Sequence, residues 1–131
     1  MQISDQRGIV LDIFAEFQIG NQRAQCEIDT GSPGATVSTR FMAPLGVEKD
    51  SKNIERHEIR NPAGAVEISY RTRLPAIALA AAPQITLAGP RVSFSDIIYD
   101  CVVGVDFWSG RALTIDIANR QLVVSNPSTS Q

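Results

Sequence analysis

The segment best equipped for chemistry is Asp29-Thr30-Gly31-Ser32. An aspartate closing a strand has its carboxylate fixed by the strand. The glycine two residues on permits a tight turn and close approach of other backbone. Amides in such a turn can hydrogen-bond the carboxylate, and the Thr30 hydroxyl can brace neighbouring backbone. Taken alone, Asp-Thr-Gly also fits an Asx-type turn with no catalytic role. Other chemistry-bearing side chains are sparse. His57 is the single histidine, lies in a charged stretch and reads as an exposed side chain. A Ser-His-Asp hydrolase would need it as the only base, and no nucleophile motif accompanies it. Cys26 and Cys101 are too few for a disulfide framework and lie in apolar surroundings, so two buried free thiols are expected. Two isolated cysteines and one histidine lack ligand-pair spacing, so neither a metal site nor a cofactor is expected.

The elements that must position Asp29 follow a period of two. Ile9, Leu11, Ile13, Ala15, Phe17 and Ile19 alternate with polar positions that include Asp12, Glu16 and Gln18. This pattern predicts a half-buried strand. Gly20-Asn21 is a turn signal. A second strand runs over 22–29 with Ala24, Cys26 and Ile28 inward and Asp29 on the polar phase at its end. Gly31-Ser32-Pro33-Gly34 is a breaker cluster and must be a loop. A short strand is predicted over 35–38 and a helical turn over 40–45, stopped near Gly46. The polar segment 48–58 is expected to face solvent. Val66, Ile68, Tyr70 and Leu74 alternate with Glu67, Ser69, Arg71 and Arg73. Before them, Asn61-Pro62-Ala63-Gly64 fits a type I turn with a left-handed glycine, so residues 56–72 read as an exposed hairpin. Further strands are predicted at 84–88, 92–94, 97–103, 113–117 and 122–124. The class is all-β.

Composition narrows the function. The chain has 131 residues, one domain of ordinary size. Twelve basic residues against fourteen acidic leave a net charge of −2, which speaks against a nucleic-acid partner. The longest soft apolar stretch, 74–83, carries Pro75 and Pro83 and is far short of the roughly 20 residues of a membrane span. The first eight residues include Asp5 and Arg7 and no apolar core of a leader, so a cytoplasmic location is the default expectation.

The order of these pieces resembles the retroviral-type (retropepsin-like) aspartic proteases. An alternating hairpin runs into Asp29-Thr30-Gly31-Ser32. A mid-chain hairpin with a small-residue tip follows, where that family keeps its flap. Cys101-Val102-Val103-Gly104-Val105-Asp106-Phe107-Trp108 looks like the family's hydrophobic-hydrophobic-Gly segment opening a short helix, and 112–124 looks like its closing hairpin. The resemblance covers roughly residues 9–125. It implies a retropepsin-like acid protease barrel with a flap hairpin and one short helix, half of a pepsin-like bilobal fold. The domain would be 1–125, followed by a polar tail at 126–131 that is expected to fray.

The implied activity is peptide-bond hydrolysis by two aspartates and one water. Two carboxylates about 3 Å apart cannot both ionise and share one proton. This chain has a single Asp-Thr-Gly. Asp100 and Asp106 flank Val102-Val103-Gly104, but neither is followed by Thr-Gly or Ser-Gly. The implied solution is a homodimer in which Asp29 of each copy meets at a two-fold axis. By the same resemblance Thr30 braces its counterpart across the axis, Gly31 lines the substrate cleft and Ser32 supports the carboxylate. Ala63, Gly64 and Ala65, small residues at the flap tip, would lie over the peptide substrate. Asp106 is expected to cap the short helix, while Phe107 and Trp108 pack. The family's internal symmetry implies that Cys26 and Cys101 are near neighbours, with a disulfide as the alternative to free thiols. The rival function is a catalytically silent relative used for dimerisation or peptide binding.

Overall fold

A computed structural model describes residues 1–6 and 10–125. The tail expected to fray at 126–131 lies outside the described residues, as does Ile9 at the head of the first alternating run. The strands are β1 (Gln2–Gln6), β2 (Val10–Ile19), β3 (Gln22–Ile28), β4 (Ala35–Ser38), β5 (Glu55–Arg60), β6 (Val66–Arg73), β7 (Ala76–Leu79), β8 (Ala82–Ala88), β9 (Arg91–Ser95), β10 (Cys101–Val103), β11 (Ala112–Asp116) and β12 (Gln121–Ser125). Short 3-10 turns span Thr39–Phe41 and Val105–Trp108. The fold is all-β, as expected, and short helical turns lie near both places where they were expected, the first at Thr39–Phe41 rather than 40–45. Among the described residues no helix is long and apolar enough to cross a membrane.

Alternation decides which faces are buried. Ala15, Phe17 and Ile19 of β2 and Ala24, Cys26 and Ile28 of β3 all point into the core. The two strands pair antiparallel, Phe14 opposite Glu27 through Ile19 opposite Gln22, so register and burial agree. Ten strands form one sheet in the order β5-β6-β9-β4-β10-β3-β2-β7-β8, with β1 added to β2. Ile77 of β7 and Phe94 of β9 lie far apart in that order yet share one core cluster. The sheet therefore curls around its own interior. Phe17, Phe107 and Trp108 stack edge to face there, with Phe17–Phe107 centroids 5.1 Å apart. The β11–β12 hairpin forms its own two-stranded sheet and packs Leu113, Leu122 and Val124 against this core.

Several expectations change. β1 had no predicted counterpart. The stretch read only as soft and apolar supplies β7 and the start of β8, with Ile77 and Leu79 turned into the core between half-buried alanines. The strand expected over 97–103 shortens to Cys101–Val103, because residues 96–100 form a connecting loop. Ser69, placed on the polar face, is buried. Asp106 does not cap the turn it enters. Gly104 occupies that position with no side-chain hydrogen bond, and Asp106 is exposed.

The cysteines bring the largest correction. Both are fully buried, as expected, but they are joined in a disulfide rather than free. Cys26 lies directly opposite Cys101 in the parallel β3–β10 pair, with Cα atoms 4.5 Å apart. That separation lies inside the range a disulfide spans. A bond closing 75 residues of chain contributes on the order of 4 kcal/mol on the chain-entropy account.

Candidate active site

The geometry around Asp29 follows from strand order. β10 lies between β3 and β4, parallel to the first and antiparallel to the second. The chain leaving β3 must therefore cross over the end of β10 to begin β4. Residues 29–34 make that crossing, and Gly104, the residue that follows β10, lies directly beneath it. The crossing is stitched down on both sides. Asp29 N–H donates to Val103 O at 3.0 Å, Gly104 N–H to Gly34 O at 3.0 Å, Val105 N–H to Ser32 O at 2.8 Å and Asp106 N–H to Pro33 O at 3.0 Å. A Cβ on Gly104 would fall 2.2 Å from Ser32 O and 2.5 Å from Gly34 O. Glycine is required here for space, since its φ of −93° suits any residue.

Within the loop, Gly31 N–H donates to Asp29 Oδ1 at 2.9 Å and Ser32 N–H to Asp29 O at 3.3 Å. A Cβ on Gly31 would already press on Asp29 Oδ1 at 3.3 Å, so the glycine lets amide and carboxylate approach. Asp29 is partly exposed, and Thr30 and Gly31 are exposed. Ser32 joins the structure through backbone bonds, N–H to Asp29 and carbonyl to Val105. The result is a carboxylate oriented by an amide and presented on a braced, open surface.

Glu27 is a charged neighbour of this carboxylate. Glu27 precedes Asp29 by two residues in β3 and shares its face. Burial, then the Asp12 and Asp29 charges, raise the Glu27 carboxyl above its ordinary range, while a hydrogen bond with Tyr99 opposes them. Burial, then Glu27 and Asp12, push the Tyr99 hydroxyl up as well. Tyr99 O–H reaches Asp12 Oδ2 at 3.5 Å, and its ring packs on Phe14 at 5.4 Å. On the far side Asp100 acts as a clamp. Its Oδ2 accepts from Gln25 N–H at 2.9 Å, its carbonyl accepts from Ser38 N–H at 2.8 Å, and its other oxygen pairs with Arg40. Asp100 thus ties β10 to β3 and β4 at once. Sequence reasoning weighed Asp100 only as a spare catalytic carboxylate. Nothing local marks the clamp, because its partners are distant in sequence.

Ala63, Gly64 and Ala65 sit at the exposed tip of the β5–β6 hairpin. The tip is self-contained. Gly64 N–H donates to Asn61 O, Asn61 N–H to Ala65 O, and Ala65 N–H to Asn61 Oδ1, each at 2.9 Å. Gly64 has φ of +85°, the left-handed value the turn type demands. Among the described hydrogen bonds none joins this tip to the Asp29 loop. His57 is partly buried, with Nε2 3.0 Å from Glu55 Oε1. A concavity of about 850 Å³ lies between the β7–β8 and β11–β12 hairpins and does not include Asp29. Among the described residues no group of three or more His, Cys, Asp or Glu is placed to hold a metal ion.

Comparison with known proteins places this geometry. The chain is similar in structure to a retropepsin-like aspartic protease from Rickettsia conorii, with a TM-score of 0.62 and 12% identity over 93% of this chain and 84% of that one. It is also similar to the retroviral protease-like domain of Ddi1 from Leishmania major, with a TM-score of 0.54 and 18% identity over 90% of this chain and 89% of that one. No family model matches the sequence, and no curated protein does. At these identities the likeness establishes the fold, which is retropepsin-like.

Proposed function

We propose that this chain is one protomer of a homodimeric aspartic endopeptidase, with Asp29 of each copy forming the catalytic pair. The observation that carries this reading is the Asp29 carboxylate, held by the Gly31 amide at 2.9 Å on a loop stitched across β10 and open to the surface. The retropepsin-like fold supports it. A lone carboxylate on an open face lacks the second acid that peptide hydrolysis needs. A two-fold axis beside the loop supplies it without another motif in the chain.

In such a pair the ionised aspartate takes a proton from water as the oxygen attacks the scissile carbonyl. The protonated aspartate donates to the carbonyl oxygen and stabilises the developing charge. Thr30 braces its counterpart across the axis, Gly31 lines the cleft and Ser32 supports the loop under the carboxylate. The hairpin tip, Ala63 to Ala65, closes over an extended peptide as an added strand. The pair titrates as a unit, so the rate is bell-shaped in pH.

The test is cleavage of a diverse peptide pool by the full chain beside Asp29→Asn, with the association state measured by sedimentation. Cleavage that tracks dimer and disappears in Asp29→Asn supports the reading. A dimer that cleaves nothing from acidic to neutral pH points instead to a silent peptide-binding relative. Turnover that survives Asp29→Asn removes the mechanism, and a strict monomer at high concentration removes the shared site.

A further inference from the structure

We propose that the Cys26–Cys101 bond is a redox-set lock on the Asp29 loop: the disulfide form holds the loop in its braced arrangement and the dithiol form lets it open. The loop sequence Asp-Thr-Gly-Ser-Pro-Gly offers no large apolar side chain to bury. Its order is borrowed from β3, β4 and β10 beneath it. Of these β10 is the shortest, three residues long, with three register pairs to β3 and three to β4. The chain leading into it, 96–100, forms no strand. The crosspiece under the loop is thus the least extended strand of the sheet, pinned non-covalently by those short ladders and by Asp100.

The disulfide is the covalent tie across this pair, and its position is specific. Cys26 in β3 precedes Asp29 by three residues, and Cys101 at the start of β10 precedes Gly104 by three. Parting of β3 and β10 would separate Asp29 N–H from Val103 O and slide Gly104 from under Ser32 and Gly34. Both sulfur-bearing residues are 0% exposed. A reductant reaches them only when the strands part, so the bond records the redox conditions in which the chain folds or opens. Its formation removes two electrons and two protons from the thiols. An oxidant of the disulfide class accepts both and leaves as two thiols. A dithiol reductant reverses this, becoming a disulfide while Cys26 and Cys101 each regain a proton. The locked form belongs to an oxidising environment.

The test uses the full chain refolded with glutathione disulfide or with excess dithiothreitol. Thiol alkylation and intact mass count free cysteines. Amide hydrogen exchange is then read at Asp29, Gly104, Val105 and Asp106 and, for comparison, at the ladder amides of β5–β6 and β7–β8. The oxidised chain is expected to take no label. Reduction is expected to speed exchange at the four loop amides by tenfold or more and at the comparison ladders by less than twofold. If the reduced chain does not fold, Cys26→Ala with Cys101→Val refills the buried space and is read in its place. Two labels on the oxidised chain would overturn the proposal. So would unchanged exchange at the loop, or acceleration shared equally by all ladders. None of these readouts requires peptide turnover, so they stand apart from the test of proteolysis.

Discussion

Two glycine-bearing turns dominate this molecule, and they are built on opposite principles. The Asp29 loop is bound into the fold from outside. Four backbone hydrogen bonds tie it to the segment 103–106, and a glycine leaves room for it to cross. Among the described hydrogen bonds, the tip of the β5–β6 hairpin is bound only to itself. Its hydrogen bonds stay within 61–65, and every residue from 58 to 67 except Asn61 is exposed. Gly104 is present because a side chain would collide; Gly64 has open space around it and is present because φ is positive. Under the proposed function, the turn that holds the carboxylate gains from many distant partners, since fixed groups need no reorganisation during reaction. Under the same proposal, a turn that closes over a peptide gains from having none.

Substitutions can break or sharpen this contrast. The largest effect falls on chemistry at the rigid turn. Asp29→Asn is expected to lower peptide cleavage by about a thousandfold or more with the thermal midpoint preserved, measured as kcat/KM and by calorimetry. Next comes Gly104→Ala. Its Cβ forces Ser32 and Gly34 aside, and unfolding in denaturant should show a loss of about 3 kcal/mol. Gly64→Ala should cost only about 1 kcal/mol, the conformational penalty of a left-handed alanine, because no atom lies within 4 Å. Equal losses at Gly104 and Gly64 would dissolve the distinction between a glycine kept for space and one kept for backbone angle.

The smallest effect is electrostatic. Glu27 has its carboxyl raised by burial and by the Asp12 and Asp29 charges. Its contribution to stability is therefore present while it is neutral, below the ordinary carboxylate pKa near 4, and is lost as pH rises through the raised value. Glu27→Gln should flatten that part of the stability curve, raising the unfolding free energy at neutral pH relative to wild type by less than about 1 kcal/mol after solvent screening, measured by denaturant unfolding. A variant less stable at neutral pH than wild type would mean that Glu27 is held by a favourable partner instead.

Most of the sheet was legible because alternation is strong where one face is buried. Ala15, Phe17 and Ile19, then Ala24, Cys26 and Ile28, mark the inward phase without ambiguity. β7 was not legible, because Ala76-Ile77-Ala78-Leu79 has no polar phase to alternate against. The Asp29 loop could be located from Asp29-Thr30-Gly31, but what holds it could not. The partners Cys101, Val103 and Gly104 lie more than 70 residues away, and their proximity comes from a parallel ladder that no local pattern encodes. Asp106 illustrates the same limit. Residue type favoured it as a helix cap, while the crossing loop required glycine at the position before Val105.

The parallel β3–β10 ladder also sets an order of assembly. A nascent chain has made Asp29 long before the ribosome adds Val103, whose carbonyl receives the Asp29 amide. Until then the hairpin of β2 and β3 can form from neighbouring residues, but the loop after it has nothing to cross. Contacts of such separation form late, after local pairs have closed. The Asp29 loop is thus encoded before β10 and becomes structure only after it, so a translation product released before β10 carries the aspartate without the strand that braces it.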